Sequence, residues 1–83
     1  NQPAFMDTLA MLLADKGDTS QAIDLLRKAL TKAPEASAIR LNLAKVLIMA
    51  GNKNEARKEL DALAALGDKF QDQATVARLQ KEL

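Results

Sequence analysis

At 83 residues the chain is one small domain or a piece of a larger one, and 12 Lys+Arg against 11 Asp+Glu leave a formal net charge of +1. That balance provides no strong field for nucleic acid or an anionic membrane. His, Cys, Trp and Tyr are absent, which removes disulfides and most metal-binding and nucleophilic side chains.

Hydrophobic residues make up 48% of the chain but aromatics only 2%, and alanine and leucine supply 30 of the 83 residues. Both lose little side-chain freedom in a helix. The β-branched and aromatic residues that favour strands are scarce, so an all-α fold is expected. The longest apolar run covers residues 9–14, far short of the roughly 18 residues of a membrane span. The chain starts at Asn1 without Met, as expected of a processed or trimmed protein. The lack of a visible leader therefore says little about compartment.

In chain order, Pro3 suits the first turn of a helix, where its missing N–H is not needed. Phe5, Met6, Leu9, Leu12 and Leu13 follow at helical spacing. Gly17 stops this helix in a left-handed conformation, and Asp18 or Thr19 caps the next. The second helix carries Ala22, Ile23, Leu26, Ala29 and Leu30 on one face and ends at Pro34. A third helix buries Ile39, Leu43, Val46 and Leu47 and stops at Gly51. A fourth, capped by Asn52, carries Ala56, Leu60 and Leu63 and is closed by Leu66 and Gly67. Lys53, Glu55, Lys58 and Glu59 are expected in water. After a connector over residues 67–71, a last helix from about Asp72 buries Val76, Leu79 and Leu83. Its polar side holds Gln73, Arg78, Gln80, Lys81 and Glu82, the pattern of a capping helix.

Laying the sequence on itself so that Ala4 meets Ala38 also places Leu9 on Leu43, Ala10 on Ala44 and Leu13 on Leu47. The same shift places Gly17 on Gly51, Ala22 on Ala56 and Leu26 on Leu60. Matched glycines carry the most weight, because the chain holds only three. The organisation expected is a first unit over residues 1–34, a second over 35–68 and a capping helix over 69–83.

This pattern resembles the tetratricopeptide repeat family, whose units of about 34 residues pair two helices. The family's positions fall on Met6, Leu9, Ala10, Leu13, Gly17, Ala22, Leu26, Ala29 and Pro34. In the second unit they fall on Arg40, Leu43, Ala44, Leu47, Gly51, Ala56, Leu60 and Leu63, with Asp68 in place of the proline. Aliphatic side chains replace the family's large aromatics throughout. The resemblance covers about residues 3–67 and implies a short right-handed α-solenoid of about five helices. A narrower likeness lies in residues 41–66 and the following Gly67-Asp68-Lys69-Phe70. It resembles the C-terminal end of a bacterial lipoprotein with tetratricopeptide repeats that accompanies exosortase/PEP-CTERM protein sorting and exopolysaccharide production. It implies the periplasmic side of the envelope; otherwise a cytoplasmic location is expected.

The family resemblance further implies that the first helix of each pair lines a concave groove that holds a protein or peptide. By register the groove residues are Asp7, Met11 and Asp15, then Leu41, Asn42, Lys45 and Met49. Methionines offer adaptable apolar contact, and Asn42 and Lys45 suit a peptide backbone or carboxylate. Some family members clamp a terminal carboxylate with Lys and Asn. Here Asp7 stands where a Lys is required and Met11 replaces an Asn, so no such clamp is expected. Phe5 and Leu12 share the register of Ile39 and Val46 and are expected to be exposed. Together they form a face for another copy or for preceding repeats.

No constellation supports catalysis. Ser20 and Ser37 have no base nearby, and Asp7 and Asp15 have no third group for acid–base work or a metal. The three glycines are spaced as repeat punctuation and not as a phosphate loop. A non-enzymatic interaction or scaffold module without cofactors is expected. The alternative is a purely structural cap on a larger scaffold.

Overall fold

The computed structural model describes residues 2–83; Asn1, the first residue of the expected first unit, lies outside them. The elements are α1 (Gln2–Asp15), α2 (Thr19–Lys32), α3 (Ser37–Met49), α4 (Lys53–Ala64), a 3-10 turn (Gly67–Lys69) and α5 (Gln73–Glu82), with no strand among the described residues. Successive helices pack in chain order, α1 on α2 and α3 on α4, and α3 also lies against α1. The result is a slab of 28 × 27 × 16 Å. This is the expected all-α solenoid of packed helical hairpins.

Local chemistry explains where each helix starts. Asp18, Asn52 and Asp72 sit immediately before α2, α4 and α5. Their side chains accept from the backbone N–H of Gln21, Glu55 and Thr75 at 3.4, 3.4 and 3.3 Å. Each bond satisfies one of the donors left free at a helix N-terminus.

The first two stops are equally regular. Gly17 and Gly51 have φ of +92° and +81°. The Asp18 N–H donates to Leu13 O and the Gly17 N–H to Ala14 O, at 2.8 and 2.9 Å. Asn52 and Gly51 repeat this onto Leu47 O and Ile48 O at 2.8 and 3.0 Å. This is the paired closure that a left-handed residue makes possible. A Cβ at Gly51 meets nothing within 4 Å, so Gly51→Ala is expected to cost only the backbone penalty, about 1 kcal/mol. A denaturant titration checks this; a change of more than about 3 kcal/mol would reveal packing that the geometry does not contain.

The third stop differs from the first two. α4 ends at Ala64, Gly67 follows three residues later at φ +56° where Gly17 and Gly51 follow two residues after their helices, and residues 67–69 form a tight turn. Here a side chain from the next helix closes the end. Gln73 Nε2 donates to Leu63 O at 2.8 Å and to Gly67 O at 3.0 Å.

The core has two parts. Ala10, Ala14, Ala22, Leu26 and Ala29 of the first hairpin meet Ile39, Leu43, Val46, Leu47 and Ala56 of the second. Leu41, Ala44, Leu60 and Leu63 then meet Val76 and Leu79 of α5. No buried polar or charged residue interrupts either part among the described residues. Alanines at 0% exposure in α1, α2, α3 and α4 allow close approach of the helices, and the leucines fill the space between them.

Candidate functional site

α1 and α3 lie side by side and form one wall. The contact is pinned by a hydrogen bond between two expected groove residues, in which Asn42 Nδ2 donates to Asp7 Oδ1 at 2.8 Å. Both side chains are partly buried. The Asn42 amide therefore serves the junction between the hairpins, and part of its hydrogen-bonding capacity is spent within the wall. Sequence spacing alone missed this pair. Adjacent first helices bring residue i beside residue i+35, one place beyond the repeat.

Around that bond the wall is mixed. Met11 is half-buried and packs on the first core part. Lys45 is half-buried, Asp15 is exposed, and Met49 is 53% exposed. Leu41 is a correction. Expected in the groove, it is only 5% exposed and sits with Leu60, Leu63, Val76 and Leu79. Its counterpart one repeat earlier is Asp7 on the wall. Because α5 stacks onto α3 and α4, it covers the Leu41 position.

The far edge of the hairpins holds a feature that periodicity did not reveal. Arg40 Nη1 pairs with Glu59 Oε1 at 2.6 Å with both side chains about one quarter exposed, and Arg27 pairs with Glu55. Glu55 and Glu59, expected in water, are half-buried and engaged. A shallow cleft of about 390 Å³ opens between them, floored by Leu30 and Leu43. The available signal was Arg40 itself, a charge at the register of the apolar Met6. Such partly exposed pairs contribute on the order of 0–1 kcal/mol each. They orient α4 against α2 and α3 more than they stabilise it.

α5 also departs from a fully solvated polar face. Gln73 closes α4, and Gln80 Nε2 donates to Asp61 Oδ1 at 2.9 Å. Arg78, Lys81 and Glu82 remain exposed around a depression of about 400 Å³ floored by Ala74 and Ala77.

Phe5 and Leu12 are 74% and 55% exposed, and Leu9 joins them at 49%. At spacings of four and three residues they form one stripe on α1. Among the described residues there is no cluster of three or more His, Cys, Asp or Glu able to hold a metal. No described helix is long and apolar enough to cross a membrane.

Comparison with curated proteins and with solved structures finds no match. The tetratricopeptide repeat family matches residues 13–83, from the last turn of α1 through α5. That span takes in the second helix of one hairpin, the whole of the next and the helix that closes it. With the repeat register, the paired glycine stops and the stacked hairpins, the chain belongs to the tetratricopeptide repeat family.

Proposed function

We propose that the α1–α3 wall takes a peptide or helix of a protein partner. The domain then works as a non-enzymatic interaction module organised as units 1–34 and 35–68 with a cap over 69–83. Tetratricopeptide repeats generally mediate protein–protein interaction. The observation that carries this reading is Met49. It is the one large apolar side chain outside the α1 stripe that stands more than half exposed among the described residues. It lies on the same helix as the half-buried Lys45 and Asn42. An adaptable thioether beside an ammonium and an amide suits an extended backbone that carries an acidic or apolar side chain.

The test is selection of peptides from a random display library against the 83-residue chain, followed by Lys45→Glu and Met49→Asp. Each substitution is expected to weaken the selected binders by about tenfold or more, as for a central interface contact. Binders indifferent to both would place the partner elsewhere.

α5 favours a second reading. Two glutamines of this helix satisfy groups on α4, and Val76 and Leu79 cover the open side of the second hairpin. In that reading the segment terminates a larger scaffold. Placing that scaffold in bacterial envelope protein sorting or exopolysaccharide assembly rests on the likeness of residues 41–70 alone. In either reading Phe5 and Leu12 offer a further contact face, for another copy of the chain or for preceding repeats.

A further inference from the structure

The occupant of the α1 stripe follows from the chain's own repeat. Phe5, Leu9 and Leu12 lie one repeat before Ile39, Leu43 and Val46. Those three are 7%, 2% and 0% exposed, and they belong to the core part that α2 builds with Leu26 and Ala29. One register thus occurs twice in the same fold, once covered by α2 and once bare.

We propose that the stripe is a docking face for an amphipathic helix of the α2 kind. Such a helix presents leucine and alanine at i, i+3 and i+4 and lies across α1 as α2 lies across α3. This deepens the further contact face named above and is independent of the α1–α3 wall. A second folded copy fits less well. Its α2 face is already used, with Ala22, Leu26 and Ala29 at 0% exposure. It has only its own three-residue stripe to offer, and not the leucine–alanine ridge of Leu26 and Ala29 that covers the same register on α3.

Charge adds a second specification. Between the hairpins, Arg27 of α2 pairs with Glu55 of α4. The counterpart of Glu55 one repeat earlier is Gln21, which is neutral and exposed. The incoming helix therefore finds no carboxylate at this place. The ion pair that joins the two hairpins has no equivalent here, so apolar contact carries the docking and only a weak dependence on salt is expected, because screening acts on charge pairs.

A stapled helical peptide of residues 18–34, titrated into the 83-residue chain and followed by amide chemical shifts, tests this directly. Saturable binding is expected, with shifts centred on Phe5, Leu9 and Leu12. Leu12→Glu is expected to weaken it by about tenfold or more, and raising salt from about 0.05 to 0.5 M by less than about twofold. Leu9→Glu repeats the test at a second exposed position, with circular dichroism checking that both variants stay folded. Lys45→Glu, which bears on the wall, is expected to leave the affinity unchanged. The proposal is overturned by any of three results: no saturable binding, shifts centred on α3 because the peptide replaces α2, or a dimer formed through the stripe that excludes the peptide.

Discussion

Deletion of residues 70–83 is expected to reduce the chain to a partly unfolded, aggregating species. The segment carries Val76 and Leu79, which are 1% and 6% exposed, and its loss uncovers Leu41, Leu60 and Leu63, now at 5%, 0% and 0%. Burial of each such side chain stabilises by about 1.5–3 kcal/mol. The expected loss is therefore of order 5 kcal/mol or more, against a total of roughly 4–12 kcal/mol for a domain of this size. The deletion also removes Gln73, which satisfies the carbonyl of Leu63. Size-exclusion chromatography and thermal melting measure the outcome. A truncated chain that stays monomeric and melts at the full-length temperature would deny α5 its covering role. Leu79→Ala provides a milder version, with an expected loss of about 2–3 kcal/mol.

The second large effect is a contrast between two leucines at one repeat position. Leu43 is 2% exposed, and Leu9, its counterpart one repeat earlier, is 49% exposed. Leu43→Ala leaves a cavity between α2 and α3 and is expected to cost about 3 kcal/mol, within the usual range of 2–5. Leu9→Ala removes a side chain already half in water and is expected to cost under about 1 kcal/mol. Denaturant titrations of the two variants give the difference. Equal costs would mean that α1 and α3 sit in equivalent surroundings, and the asymmetry on which the docking proposal stands would vanish.

Much of the fold was legible because it is written in short range. Helical spacing, the glycines at positions 17 and 51 and the capping residues Asp18, Asn52 and Asp72 each act within a few residues, and the repeat register then stacks the hairpins. The site was legible only in part, because its decisive contacts join distant segments. Leu41 reads as a wall residue until α5 is known to lie over it. Asn42 reads as a free amide until α1 brings Asp7 to within 2.8 Å. Arg40 and Glu59, 19 residues apart, have no local pattern to announce their pairing. Gln73 looks like surface on a helical wheel. It acts instead as a closing group because α4 stops at Ala64, short of Gly67, outside the geometry of the two earlier stops.

The account rests on the two hairpins lying side by side, so that α1 and α3 share one wall. Nuclear Overhauser spectroscopy on the Asn42 side-chain amide tests this most directly, since its Nδ2 lies 2.8 Å from Asp7 Oδ1. The expected result is a cross-peak to the Asp7 β-protons that Asp7→Ala removes while the helices persist. An assigned Asn42 amide with no cross-peak to any residue of α1 would contradict the stacking, and with it the shared wall and the bare register on α1.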